Sequence, residues 1–207
     1  MSWMNRVVLL TGERGVGKTH LCQQVVGQAR KSGYSCAGVL SPAIISEGEK
    51  VGIDLVDAAT GEERLLAEAD NAGGEVRWGR YRFVGATLEW GAELLRGATP
   101  CDLLVVDELG PLELKLGQGL VAALDVLDEG AFSLALVVVR PELVESMRER
   151  LRPSETSVLE VDLQNRDQLA GQILSLLDQI GVQRDLPSGA DGCIIADRET
   201  GSPTQRA

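Results

Sequence analysis

Eight consecutive residues constrain this chain more than anything else in it: Gly12-Glu-Arg-Gly-Val-Gly-Lys-Thr19. The stretch fits G-x-x-x-x-G-K-[ST]. An apolar run suited to a β-strand (residues 6–10) precedes it, and helical periodicity follows to about Lys31, where Gly33 supplies a left-handed stop. A strand that enters a glycine-rich turn and opens into a helix forms a phosphate cradle. Gly12, Gly15 and Gly17 let successive backbone N–H groups curl towards one point, and the helix N-terminus adds its partial positive charge. Glu13, Arg14 and Val16 complete the loop, with Arg14 either near a phosphate or in solvent. Lys18 brings a mobile cation for the β- and γ-phosphate oxygens. Thr19 offers a hydroxyl to Mg²⁺, a hard ion that takes oxygen ligands. The expected ligand is Mg²⁺ with ATP, GTP or another nucleoside triphosphate.

A second signal lies in Leu103-Leu-Val-Val-Asp107-Glu108, four apolar residues followed by two carboxylates. A short apolar strand of this kind is buried on both faces of a sheet. In phosphate-loop enzymes, an acid at the carboxyl end of such a strand holds the Mg²⁺ shell, so Asp107 is the candidate metal ligand beside Thr19. Glu108, one residue on, is the candidate base that orients and deprotonates the attacking water. Residues 134–139 form another buried strand, predicted to lie between the loop strand and the acidic strand. Its end brings Arg140 close to the γ-phosphate as a sensor or transition-state cation. Equally, Arg140 reads as a surface arginine paired with Glu142 or Glu145.

The remaining pattern places these motifs in an α/β domain. Residues 36–45, 51–57 and 63–67 read as an antiparallel meander, and 76–84 as one further strand. Helices are predicted over 86–96, 118–128 and 166–180, with Asn165 and Gln168 resembling a capping box for the last. Pro141 fits the first turn of another helix, and residues 158–162 form a final strand. Alternating strands and helices imply a mostly parallel sheet covered on both faces, with the meander added. Residues 1–181 make the nucleotide-binding domain. Residues 182–207, rich in Gly, Pro, Ser and Asp, read as a flexible tail.

Composition narrows the function. With 20 basic and 31 acidic side chains the net charge is −11, which opposes the counterion release that drives duplex binding, so no nucleic-acid partner is expected. The longest apolar runs are too short to cross a bilayer, and the opening Met-Ser-Trp-Met-Asn-Arg has no signal-peptide layout. The expected compartment is the cytoplasm. Cys22, Cys36, Cys101 and Cys193 are scattered and His20 is the one histidine, a pattern that fits neither a zinc site nor a disulfide framework.

Together these residues resemble the cancer-related nucleoside-triphosphatase (THEP) family of RecA-like P-loop proteins. Four more stretches carry the resemblance: Gly52-Ile-Asp-Leu-Val56, Trp78-Gly-Arg-Tyr81, Asp107-Glu-Leu-Gly-Pro-Leu-Glu-Leu114 and Asn165-Arg-Asp167. They span nearly the whole globular part. The resemblance implies slow, Mg²⁺-dependent hydrolysis of nucleoside triphosphates to diphosphates with limited base selectivity. By position it implies phosphate binding at Gly12–Thr19, metal at Thr19 and Asp107, and water at Glu108. Asn165, Arg166, Arg80 and Tyr81 are candidates near the base, although Asn165 is equally a helix cap. Arg14 stands where the family often has Pro, and His20 where it often has Thr. Two other readings share the cradle: a nucleotide or small-molecule kinase, and a regulatory switch module driven by bound nucleotide. A monomer or weak oligomer is expected, its protein partner unknown.

Overall fold

β-Branched and aliphatic runs too short for helices form the centre of the molecule as five parallel strands. The computed structural model describes residues 3, 5–69, 76–78, 81–151 and 156–185, with the backbone alone at 76–78 and 182–185. In spatial order the parallel strands are β10 (Thr156–Glu160), β1 (Arg6–Thr11), β9 (Phe132–Val139), β8 (Cys101–Leu109) and β2 (Cys36–Leu40). Every residue of β9 is buried, because helices cover both faces of the sheet there.

Side chains alternate along these strands and supply two cores. Val8, Leu10, Leu134, Leu136 and Val138 pack against α1 (Lys18–Lys31) and α6 (Arg166–Asp185). Val7, Leu9, Ala135, Val137 and Val139 point the other way. They meet α2 (Gly85–Arg96), α3 (Pro111–Leu116), α4 (Ala122–Glu129) and α5 (Val144–Arg150), which a 3-10 turn at Pro141–Leu143 introduces. Each large aliphatic side chain buried in this way contributes roughly 1.5–3 kcal/mol.

Beyond β2 the sheet turns antiparallel through β4 (Glu49–Asp57), β5 (Glu63–Ala69), β7 (Tyr81–Phe83) and β6 (Val76–Trp78), while β3 (Ala43–Ser46) pairs with β4. Ten strands are described in all. Among the described residues no helix is long and apolar enough to cross a membrane.

The architecture is the mixed, two-sided α/β sheet expected, and β9 lies between β1 and β8 as its sequence predicts. Several elements differ. Residues 36–45 are two strands: Pro42, which lacks a backbone N–H, falls between them, and the first half joins the parallel set through β8. The single strand predicted over 76–84 is a hairpin, with Val76 opposite Phe83 and Trp78 opposite Tyr81. Alternation alone does not separate one long strand from two short ones that reverse. β10 begins at Thr156, two residues before the predicted start, and α6 continues to Asp185, past Gly181. The helical spacing over 118–128 becomes helix only from Ala122, and α3, at six residues, is too short to show a period. Residues 70–75, Arg80, Cys193 and residues 186–207 of the predicted tail lie outside the described residues.

Candidate active site at the carboxyl ends of the parallel strands

The five parallel strands end on one edge, and each hands the chain to a segment that builds the site. After β1 the loop turns through Gly12, Gly15 and Gly17 at φ of 136°, 84° and 97°, conformations that favour glycine. Gly12 also admits no side chain: a Cβ there would lie 2.2 Å from the Val161 carbonyl oxygen, beyond β10. Gly17 caps α1 in the left-handed region and accepts the Leu21 N–H at 2.9 Å. The first free amides of α1 therefore face the loop. Glu13, Arg14 and Gly15 are exposed, and half-buried Val16 packs into the core beneath. Lys18 Nζ donates to the carbonyls of Gly12, at 2.6 Å, and Glu13, at 2.8 Å, so its ammonium spans the loop mouth.

β8 delivers the two acids. Its register with β9 shifts between Val106 and Leu109, so Asp107 and Glu108 fall at an irregularity in the ladder, joined by a cis peptide bond. The Asp107 side chain is buried and Glu108 is exposed. Burial raises the Asp107 pKa to about 6; hydrogen bonds from the Ser41 backbone and the Thr19 side chain pull it down, Glu108 pushes it up, and Lys18 lowers it. Ser41, just after β2, donates its backbone N–H to Asp107 Oδ2 at 3.2 Å and its hydroxyl to the Asp107 carbonyl.

These donors fit Mg²⁺. The Thr19 hydroxyl and the Asp107 carboxylate are hard oxygen donors that already face one another. In this dry position the charge of Lys18 does not offset the burial of the carboxylate, and a dication beside it would add the missing compensation. Mg²⁺ characteristically uses one or two such protein oxygens, with nucleotide phosphates and water completing its shell.

Arg140 leaves the end of β9 and donates its Nε–H to Glu108 Oε1 at 2.7 Å. It pairs with neither Glu142 nor Glu145, so the surface reading of this arginine gives way to a contact with the candidate base. Both partners are more than a third exposed, and a pair of this kind contributes only about 0–1 kcal/mol, which leaves it exchangeable.

The residues considered near the base divide. Asn165 stands at the start of α6, where its carbonyl accepts the Leu169 N–H at 3.0 Å, but its side chain turns back: it accepts the Asp162 N–H at 3.0 Å and donates to the Glu160 carbonyl at 2.9 Å, bracing the turn after β10. Arg166 lies over the phosphate loop, where a Cβ at Gly17 would come within 2.7 Å of its Nη1. Tyr81 is half-buried with Lys50 Nζ 5.5 Å from its ring centroid.

Three contributors had no sequence signal of their own. Ser41 is an ordinary serine before a proline. Lys50, in β4 just after a polar turn, is half-buried at the site; burial lowers its pKa, Tyr81 and Glu108 raise it, Arg14 lowers it and Asp107 raises it. Glu113 is buried and accepts the N–H groups of Gly110 at 2.9 Å and Leu120 at 3.2 Å, tying down the segment that follows Glu108. Burial raises its pKa against these bonds. Its place in the Asp107–Leu114 stretch was visible, its partner at Leu120 was not.

The chain is similar to known proteins over most of its length. A family profile described as NTPase matches residues 7–174. The chain is 36% identical over 172 residues to the nucleoside-triphosphatase THEP1 of Methanopyrus kandleri, covering 81% of this chain and 92% of that one. It is 34% identical over 171 residues to THEP1 of Methanosarcina barkeri, covering 80% and 94%. The solution structure of a human cancer-related nucleoside triphosphatase superposes with a TM-score of 0.65 at 26% identity, over 84% of this chain and 98% of that one. With a profile matched across most of its length and relatives this similar over most of theirs, the chain belongs to the THEP1 family of nucleoside triphosphatases.

Proposed function

We propose that this chain hydrolyses nucleoside triphosphates to the diphosphate and phosphate, in a Mg²⁺-dependent reaction tolerant of the base. One observation carries the reading: Lys18, Thr19, Asp107, Glu108 and Arg140, distant in sequence, meet at the carboxyl edge of one sheet in a family of nucleoside triphosphatases. Mg²⁺, when held by Thr19 and Asp107, supplies charge neutralisation at the β- and γ-phosphates.

The protein's own groups do the rest. The loop amides and the α1 terminus bind phosphate oxygens, and Lys18 exchanges its carbonyl partners for the β- and γ-oxygens. Glu108 accepts a proton from the water whose oxygen bonds to the γ-phosphorus. Arg140 faces the negative charge that spreads over the transferring phosphoryl group, and its shift from Glu108 to those oxygens frees the carboxylate to act. None of the phosphate- and metal-directed groups reads a base edge, which supports broad base tolerance. A net charge of −11 supports action on free nucleotides without a nucleic-acid partner.

The test is to incubate the purified protein with ATP, GTP, CTP and UTP, with Mg²⁺ or with a chelator, and identify every product. Phosphate release of the same order from all four, abolished by chelation, is expected. A hundredfold preference for one base would overturn the base tolerance, and undiminished hydrolysis in chelator would overturn the metal assignment.

A further inference from the structure

A cavity of about 110 Å³ opens beside Glu108. No residue between Gly12 and Thr19 lines it, so it is not part of the nucleotide cradle. Its walls are Ile53, Leu66 and Phe83 from the antiparallel strands, Leu88 from α2, and Leu112 and Leu120 from the segment that Glu113 ties down. Its polar side chains are Ser41, which bonds Asp107, then Lys50, Glu108 and Arg140 where it meets the site, and Glu113, whose two oxygens are already taken by the Gly110 and Leu120 N–H groups. Glu108 and Arg140 thus face both the cavity and the candidate site. A site meant for water alone needs a few ångströms of polar space, whereas this space has apolar walls.

From this arrangement we infer that the cavity is an acceptor subsite for a small aliphatic alcohol, and that the protein transfers the γ-phosphoryl group to it in competition with water. The inference rests on the reading above, in which Glu108 activates the attacking group. An apolar cavity of about 150 Å³ takes benzene, so one of this size suits a chain of roughly four or five carbons. The alkyl body lies against the leucines and Ile53, and the hydroxyl points to Glu108. The alcohol oxygen forms a bond to the γ-phosphorus as the bond to the β–γ bridging oxygen breaks. The electron pair leaves with the nucleoside diphosphate and the hydroxyl proton passes to the Glu108 carboxylate. Products are an alkyl phosphate and the diphosphate. Lys50 and Arg140 place positive charge at the mouth, where the phosphate of the product emerges.

The experiment measures partitioning of one phosphoryl group. Mg-ATP is turned over in the presence of methanol or 1-butanol at equal concentrations that leave the melting transition unchanged, and alkyl phosphate and inorganic phosphate are counted by ³¹P NMR. Methanol has no body to bury, so its ratio should follow the concentrations of the two nucleophiles. Burial of the three further methylenes gives 1-butanol an advantage over methanol of roughly fiftyfold. Leu88→Trp, which fills the cavity from a half-buried position, should bring that advantage down at least tenfold, and Leu88→Phe should fall between. If either variant fails to fold, the chain-length comparison in the native protein decides by itself. Equal partitioning of methanol and 1-butanol, or an advantage unchanged in a folded Leu88→Trp, overturns the subsite while leaving hydrolysis intact. Absence of both products instead removes the hydrolytic reading on which it depends.

Discussion

The two halves of the sheet differ in more than strand direction. In the parallel half, β1 and β9 are buried almost throughout, and their ends carry the phosphate loop and Arg140. In the antiparallel half, β3 has no fully buried residue and β7 is half-buried along its length; Ile45 stands 59% exposed. The inner parallel strands β1, β9 and β8 are enclosed by helices on both faces, which packs their side chains closely. The antiparallel strands wet one face and supply side chains such as Lys50 and Ile53 to the edge of the site. The candidate catalytic groups come from the parallel half, and the antiparallel half adds Lys50, Ile53, Leu66 and Phe83 to the wall of the cavity. This division assigns chemistry to one half and one wall of the cavity to the other.

The largest test of that assignment is Glu108→Gln. Gln keeps the volume and can still accept from Arg140, but it has no basic carboxylate. Turnover should fall by about 10²–10⁴-fold while Mg-ATP affinity holds, measured by single-turnover hydrolysis and calorimetry on one preparation. A wild-type rate would put water activation elsewhere.

Next comes stability. Leu136→Ala in β9 empties a fully buried position and should cost about 2–5 kcal/mol in urea unfolding. A cost below 1 kcal/mol would mean that the parallel half is not the closely packed one.

Asp107→Asn tests the price of chemistry inside that closely packed half. Burial lifts this carboxyl to about 6 in the folded chain, from an ordinary value of 3.8. The fold therefore favours the protonated form. The associated stability is complete below about pH 4 and is lost as pH rises through 6, a difference of about 3 kcal/mol at most. Without Mg²⁺, Asp107→Asn should be the more stable protein at pH 7.5 by up to about that amount, with the gap closing towards pH 4. A gap that is flat with pH would show that the carboxylate is not strained by its surroundings.

The smallest effect is expected in the antiparallel half. Ile45→Ser should change stability by no more than about 0.5 kcal/mol, because the side chain is already in water. A larger loss would reveal packing that the exposure of Ile45 conceals.

How far the molecule could be read in advance follows the same division. The buried parallel strands, the loop and the order β1-β9-β8 were legible, because an apolar run ending in Gly12 or Asp107 leaves a chain few alternatives. The site residues Lys18, Thr19, Asp107, Glu108 and Arg140 were all named from such runs. What escaped was non-local. That residues 76–83 reverse depends on β5 beside them. That Arg140 meets Glu108, and not its neighbours Glu142 and Glu145, depends on a register shift between two strands. Ser41 and Lys50 are common polar residues whose importance lies only in what β2 and β4 bring them against. Asn165 had the composition of a cap, but the turn after β10 offered its side chain better partners.

Ser41 has a mechanical consequence. Both of its hydrogen bonds end on Asp107, one on the carboxylate and one on the backbone, and it stands where β2 gives way to the antiparallel strands. A residue anchored through both its amide N–H and its hydroxyl has little slack. Tilting the outer strands against the inner ones would therefore be felt at Asp107, so the same serine that joins the two halves is a lever on the candidate metal ligand.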